Sequence, residues 1–447
     1  MSPRRSPPST PDLPLFRLPR YEQALLANGL EVLAVHDDRL PLVHWRLGFP
    51  AGSKFDPADL RGLSETTAAV MTQGTARRSA RQIAERAAAL GASLRAWSNA
   101  DALVLEGSVL AENLTDFLEL ATDVVQNAAY PEEEVQLRKQ HRKQEVTAQR
   151  SLADFLAQER MAELVFGQHP YARQEPTPES IERISRGDLA GFHARHMTPP
   201  GAIAVLVGAL PPLAELVEQL GLLLGGWTGS GVPAAGWPEP PPPRRVVVLV
   251  DRPGSVQADL RIGRLAVTRT HPDYFPLLVA STILGGGASS RLFTGIREQR
   301  GYAYDAHSTL TAWQEAGIVE VVTQIREEVL PEALAAVLDE MRRMGRESVS
   351  SEELETALNY LCGVFVIRLE TLHGVAGQLA FTRLLGLPLA YLEEYASRVR
   401  SVTADQVRDA AARYLDPESS SIVVVGDADR IHRSLEPFGA IQCEKAP

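Results

Sequence analysis

A repeat with a period of 218 residues limits the fold more than any other feature of the sequence. In each half, a segment with helical spacing is followed by a proline and then by an apolar run that ends at a glycine. The matched landmarks are Ile184 and Val402, Pro199 and Pro417, and Gly208 and Gly426. Because all three pairs share one gapless register, the sequence predicts a duplicated domain.

A proline- and glycine-rich segment separates the two halves. Residues 227–244 include four consecutive prolines, which cannot enter the interior of a helix or a sheet, so we interpret this segment as a linker. We expect an N-terminal domain over residues 21–226 and a homologous C-terminal domain over residues 245–440. The proline-rich residues 1–20 are expected to form a disordered tail.

Local signals predict both strands and helices within each half. Asn28-Gly29 lies between two apolar runs, which is typical of a β-hairpin turn. Ser79 and Gln82 have the spacing of a capping box at a helix N-terminus. Since strands and helices are segregated along the chain, the predicted class is α+β, with a mostly antiparallel sheet and helices packed on one side in each domain.

Composition excludes several functional classes. The net charge is -11 and the basic residues form no long run, which argues against a nucleic-acid partner. No apolar run reaches the length of a membrane span, and no secretory signal is evident, so we expect a cytoplasmic protein without a membrane partner. The two cysteines, Cys362 and Cys443, belong to no C-x-x-C pair, so a cysteine metal site is not expected.

Two segments contain candidate catalytic or ligand-binding residues. The first, residues 62–75, reads as a short helix that ends at a glycine. The second begins with Gly285-Gly286-Gly287 and continues through Arg297 to Tyr304. Its glycines lack the lysine and the spacing of a phosphate-binding P-loop.

Together these segments resemble the pitrilysin/insulinase family of zinc peptidases, the inverzincins, and the resemblance extends over residues 21–440. In that family, an H-x-x-E-H helix supplies two zinc-binding histidines and a general-base glutamate. Here the three positions hold Glu65, Ala68 and Ala69, whereas Glu145 matches the family's third zinc ligand. The resemblance therefore implies no metal in this chain and a peptidase-like fold with a degenerate zinc motif.

The second segment fits the family pattern R-x-x-x-x-G-x-Y. The resemblance implies that Arg297 binds substrate carbonyl groups and that Tyr304 donates to the oxyanion in the active site of the other half. Tyr302 is a rival for the tyrosine role, because it lies two residues away. Without the resemblance, Arg297 would be interpreted as a helix arginine paired with Glu298 or Asp305.

Bacterial family members often pair a zinc-binding subunit with an Arg/Tyr subunit, and this chain matches the second kind. We expect it to be the non-zinc subunit of a heterodimeric metalloendopeptidase that cleaves peptides, with zinc in a homologous partner. The alternative is a non-enzymatic homodimer that binds peptides or acts as a scaffold.

Two further metal hypotheses remain open. Glu65 and Glu145 could hold a hard cation in an active homodimer, but we expect both to be solvated or helix-surface acids. His193 and His196 have H-x-x-H spacing, although a helix C-terminus with cationic side chains is the simpler interpretation.

Overall fold

The structure, a computed structural model, describes residues 18–231 and 236–446 of the 447-residue chain. Most of the expected tail at residues 1–20 and a part of the expected linker therefore lie outside the described residues. Within the described ranges, no helix is both long enough and apolar enough to cross a membrane.

The first half consists of one sheet and eight α-helices among the described residues. Its strands are β1 (Tyr21–Leu25), β2 (Glu31–His36), β3 (Leu42–Phe49), β4 (Ser93–Ser98), β5 (Leu103–Leu110) and β6 (Ile203–Gly208). Its helices are α1 (Leu63–Met71), α2 (Ala80–Ala89), α3 (Leu114–Asn127), α4 (Glu132–Arg150), α5 (Ala153–Phe166), α6 (Pro178–Arg183), α7 (Arg186–His196) and α8 (Leu213–Leu224).

The second half repeats this plan. Its strands are β7 (Val247–Asp251), β8 (Gln257–Ala266), β9 (Ala303–Ala312), β10 (Gly317–Arg326), β11 (Ser421–Gly426) and β12 (Ile441–Lys445). Its α-helices are α9 (Tyr274–Gly285), α10 (Leu330–Arg346), α11 (Ser351–Arg368), α12 (Leu372–Leu384), α13 (Ala390–Arg400), α14 (Ala404–Tyr414) and α15 (Ala428–Leu435). A π-helix, Phe293–Gln299, precedes β9.

Five strands of each sheet have equivalent positions, which explains the repeat in the sequence. The sixth differs, because β1 pairs antiparallel with β2 whereas β12 pairs parallel with β7. The first sheet runs β1-β2-β6-β3-β5-β4, and the second runs β12-β7-β11-β8-β10-β9. In each sheet the strand that ends the 218-residue repeat, β6 or β11, is central and parallel to one neighbour, while most other pairs are antiparallel. The predicted α+β class is confirmed.

Local predictions are confirmed at the hairpin and at the helix cap. Gly29 adopts a φ of 90°, and the turn that contains it connects β1 to β2 in antiparallel register. Ser79 caps α2, and the reciprocal bond from Gln82 completes the capping box. The positive φ explains why glycine follows Asn28, since other residues are strained there.

The inner face of each sheet packs against helices of its own half. Alternate residues of β3, such as Trp45 and Leu47, point towards Phe117 and Leu118 of α3 in one buried cluster. In the second half, Leu260 and Ile262 of β8 are buried in one cluster with the apolar residues of α10.

The outer faces are covered by an exchange of helices between the halves. Helix α12 of the second half packs on β3 and β6 of the first sheet, and α5 of the first half packs on β8 and β11 of the second sheet. Val205 and Val207 of β6 share a buried cluster with Leu379 of α12. The two sheets therefore each depend on the other half for one of their two covering layers.

Candidate functional site

Helix α1 is held at its N-terminus by a partly buried carboxylate. Asp56 accepts hydrogen bonds from the backbone N–H groups of Gly62 and Ser64, both at 2.9 Å. Burial raises the pKa of Asp56 to about 7, although these hydrogen bonds act in the opposite direction. The helix then packs against α4, α7 and the edge strand β4.

The positions of the degenerate zinc motif lie on this helix. Glu65 and Ala69 are one helical turn apart and both are partly exposed, so they share the open face of α1. Ala68 is completely buried in the core of the first half. A methyl group has no lone pair for zinc, so α1 offers one potential ligand, the Glu65 carboxylate.

Two arginines of α4 connect the remaining carboxylates of the motif. Arg138, Arg142 and Glu145 recur at helical spacing, which places them on one face of α4. Arg138 lies 3.0 Å from Glu65 and 3.5 Å from Glu145. Arg142 contacts the same carboxylates at 2.9 Å and 3.5 Å. Both guanidinium groups therefore bridge Glu65 and Glu145.

Glu65 and Glu145 lie on helix surfaces, as expected, with Glu65 partly exposed and Glu145 exposed. The structure adds that neither is a free acid. Their carboxylates are ion-paired, and the Arg142 side chain between them is only 10% exposed. The pairing arises because α1 and α4 pack together, which the linear sequence does not display. A cation bound between the two carboxylates would have to displace both guanidinium groups, at a cost in hydrogen bonds and charge pairing.

The network extends towards the second half of the molecule. Arg142 also lies 3.6 Å from Glu175. Burial and the nearby Glu65 raise the pKa of Glu175, whereas Arg142 lowers it. Glu175 lines a cavity of about 110 Å³ together with Arg61 of the first half and Trp313 and Glu320 of the second. The ion-pair network around Arg142 thus reaches a cavity between the halves.

Arg297 and Tyr304 lie together at the start of the edge strand β9. Gly301, with a φ of 63°, turns the chain between the π-helix and this strand. The guanidinium carbon of Arg297 is therefore 4.9 Å from the centre of the Tyr304 ring and 4.5 Å from that of Phe293. Tyr304 is 84% exposed, which is unusual for a large aromatic residue.

The surroundings of this pair differ from those of a structural arginine. Among the described residues, no carboxylate forms an ion pair with Arg297; Asp305 instead contacts His307 at 2.7 Å. Tyr302 is partly buried against the core of the second half, whereas Tyr304 is open to solvent. Within the described chain, no hydrogen bond or ion pair joins Arg297 or Tyr304 to the Glu65 network.

His193 and His196 do not converge on a common point. His193 shares a hydrogen bond of 2.7 Å with the Tyr130 hydroxyl group, and burial lowers its pKa. His196 packs between the rings of Phe55 and Phe192, and burial lowers its pKa to about 4. Both residues lie in the last turn of α7 with Arg195, as expected for a helix C-terminus, although burial disfavours the charged form of the two imidazole groups.

Comparison with protein-family models gives two adjacent matches. Residues 31–178 match the model described as "Insulinase (Peptidase family M16)". Residues 183–361 match the model described as "Peptidase M16 inactive domain". The boundary between the two matches lies within α6 (Pro178–Arg183), ahead of the linker segment.

Known proteins with similar sequences and structures span nearly the whole chain. An uncharacterized zinc protease of Mycobacterium bovis is 26% identical over 95% of this chain and 96% of its own length. The β subunit of the rat mitochondrial-processing peptidase is 24% identical over 96% of this chain and 88% of its own length. A peptidase M16 inactive-domain structure from Pseudomonas fluorescens superposes with a TM-score of 0.85 and 26% identity, covering 91% of this chain and 98% of that one.

Proposed function

Because the chain belongs to the insulinase (M16) family of peptidases, we propose that it is the non-zinc subunit of a heterodimeric metalloendopeptidase that acts on peptides. The exposed Tyr304 beside Arg297, which forms no ion pair among the described residues, is the observation that carries the proposal. These two side chains face solvent, where a second chain and its substrate could meet them.

The chemistry is divided between the two chains in this proposal. A homologous partner with an intact H-x-x-E-H helix holds zinc, which activates the attacking water. Tyr304 of this chain donates its O–H to the scissile carbonyl as negative charge develops there. Arg297 donates to substrate carbonyl groups and, through its stacking contact, restricts the Tyr304 ring. A donor aimed at a developing oxyanion contributes about 3–4 kcal/mol.

The sheet edges offer a way to hold a peptide. Strands β4 and β9 end their respective sheets, so one side of each has no strand partner among the described residues. An extended peptide can add to such an edge through main-chain hydrogen bonds. Helix α1, which contains Glu65, packs on β4, and Tyr304 belongs to β9. Both sheet edges therefore lie beside residues of the family motifs.

A paired assembly is supported by the name of one relative and by the state of the former zinc region. The rat relative is itself named as a subunit. The guanidinium groups of Arg138 and Arg142 balance the charge of Glu65 and Glu145 without a metal. We further propose a cytoplasmic location, because both cysteines are free and one of them is exposed, which suits a reducing compartment.

The proposal is tested by reconstituting peptide cleavage with a homologous chain that carries H-x-x-E-H. Adding this chain should create or strongly increase the activity. Tyr304→Phe should reduce kcat/KM about 100- to 1,000-fold, as the loss of one oxyanion donor does, and Arg297→Ala should reduce it as well. Tyr302→Phe and the exposed Tyr360→Phe serve as matched controls and should leave the rate unchanged.

Two results would overturn this assignment. Unchanged kcat/KM in both Tyr304→Phe and Arg297→Ala would remove the proposed roles of these side chains. A stable homodimer that binds peptides and gains no activity with any H-x-x-E-H chain of the same organism would favour the non-enzymatic alternative. Size measurement by light scattering, made on the chain alone and on the mixture, distinguishes the two assemblies.

A further inference from the structure

Three side chains with metal-binding atoms meet on the outer face of the first sheet. His44 belongs to β3, Glu106 to β5 and His373 to the second-half helix α12. One ligand atom of each lies within 4.8 Å of the other two, and this is the sole group of its kind among the described residues. None of the three belongs to the peptidase motifs described above.

His44 and His373 are close together because α12 packs along the outer face of β3. Residues 44, 46 and 48 of β3 point to the outer face, because side chains alternate along a strand. His373 lies against His44, Gly377 against Arg46, and Leu384 against Gly48. A Cβ atom at Gly377 would come within 3.0 Å of the Arg46 guanidinium group. The close fit at Gly377 allows α12 to lie near the strand and brings His373 to His44.

The two imidazole groups have the separation that a tetrahedral metal requires. Nδ1 of His373 and Nε2 of His44 are 3.2 Å apart. Zinc binds imidazole nitrogens at about 2.0–2.1 Å, so two nitrogens at neighbouring tetrahedral positions are about 3.3 Å apart. His373 is exposed and can rotate, so a small turn of its ring aims both lone pairs at one cation.

Both imidazole groups lie in surroundings that disfavour the charged form. Burial lowers the pKa of His44 to about 4, and the nearby His373 and Arg46 act in the same direction. Burial also lowers the pKa of His373, and Arg46 again contributes.

Glu106 supplies an oxygen and balances the neighbouring cations. Its Oε1 atom accepts hydrogen bonds from Arg95 at 2.8 Å and from Trp97 at 3.1 Å. Its Oε2 atom forms an ion pair with Arg46, so a cation bound by this oxygen would replace the Arg46 contact. Arg46 and Arg95 repel a cation. The site therefore favours a metal ion that binds strongly to imidazole nitrogen over one that is attracted by negative charge alone.

We propose that His44, His373 and Glu106 form a binding site for a zinc-type divalent transition metal ion. Water from the adjoining open cleft of about 480 Å³ completes the coordination. Because His373 belongs to the second half and the other two ligands belong to the first, the bound ion cross-links α12 to the first sheet. Bound metal therefore stabilises the union of the halves by mass action.

The test uses the full chain after removal of metals by a chelator. Titration with Co²⁺, followed by visible absorption, and with Zn²⁺, followed by calorimetry, should show one site and an increase in Tm. His373→Ala should weaken binding by more than the roughly 10- to 100-fold that the loss of an outer-shell partner costs. His373→Asn keeps a hydrogen-bonding group beside His44 but loses the imidazole, so it should fail in the same way.

Two controls separate this site from the rest of the molecule. His141→Ala removes an exposed histidine of α4 and should leave the affinity unchanged. Glu145→Gln alters the degenerate zinc motif and should also leave it unchanged. The proposal is overturned if the chain binds neither ion, if His373→Ala and His373→Asn bind as the unmodified chain does, or if Glu145→Gln is the variant that loses the metal.

Discussion

At the scale of single residues, packing and ion pairs accommodate the positions that correspond to the family's zinc motif. Alanine at positions 68 and 69 removes two groups on which the chemistry depends, yet Ala68 stays buried in the core. Arg138 and Arg142 provide the positive charge that the carboxylates of Glu65 and Glu145 need in the absence of zinc. Since both arginines lie on α4, the replacement depends on a helix other than the motif helix.

The sequence predicted the loss of the zinc ligands but not what took their place. Alignment of Glu65, Ala68, Ala69 and Glu145 with the family motif needs only local spacing. The arginine bridge needs the relative position of α1 and α4, which long-range packing sets. The same reason hides the pairing of His44 with His373, because these residues are 329 positions apart.

Arg142→Met should lower the free energy of unfolding by about 1–2 kcal/mol. It leaves the partly buried Glu65 with fewer partners, and an unsatisfied group of this kind costs about 1–3 kcal/mol. Arg81→Met removes an exposed ion pair with Glu85 and should change stability by less than about 0.5 kcal/mol. Denaturant unfolding of both variants checks the difference, and equal effects would contradict the bridging role of Arg142.

At the scale of elements, an ion pair joins the glycine-rich segment to α11. Arg291, ahead of the π-helix that contains Arg297, donates to Glu353 at 2.7 Å and 3.1 Å. Glu353 is also the third helical residue of α11 and completes its capping box with Ser350. The sequence indicates the capping box by its spacing, whereas the contact with Arg291 requires the folded chain.

This contact predicts a dependence of stability on pH. Burial alone would raise the pKa of Glu353, but the hydrogen bonds from Arg291 and Ser350 lower it to about 2. Since the folded pKa is depressed, the stabilisation is complete above about pH 4.5 and is lost as the pH falls towards 2. The difference in Tm between the unmodified chain and Glu353→Gln should therefore be large at pH 6 and clearly smaller at pH 3.

A neighbouring acid gives the control for this measurement. Glu352→Gln changes an exposed residue of the same helical turn that forms no ion pair among the described residues. Its Tm difference from the unmodified chain should be small at both pH values. A Glu353→Gln difference that stays constant from pH 6 to pH 3 would show that the Arg291 contact does not stabilise the chain.

At the scale of the whole molecule, the exchange of α5 and α12 makes each half incomplete without the other. The 218-residue repeat and the apolar patterns of β6 and β11 predicted two related domains with similar sheets. They did not predict the exchange, because an apolar helix face does not specify which sheet it covers. Ion pairs between the halves, such as Lys54 with Glu315 and Glu31 with Arg383, also hold the two halves together.

Leu379→Ala should therefore destabilise both halves together, by about 2–5 kcal/mol. Leu379 is fully buried where α12 meets the outer face of the first sheet. Hydrogen exchange should show lower protection in β3 and β6 of the first half as well as in α12. Leu222→Ala is the matched control, because Leu222 is 82% exposed. Loss of protection in the second half alone would contradict a single cooperative unit.

The most direct test of the central claim is the zinc-dependent cleavage of peptides by this chain alone, measured as a rate and not as bound metal. The His373→Ala background removes the proposed structural ion, so any remaining effect of zinc arises elsewhere. We expect no cleavage above background until an H-x-x-E-H partner is added. Cleavage by the isolated chain that requires zinc and disappears in Glu145→Gln would show that this chain holds the catalytic metal itself.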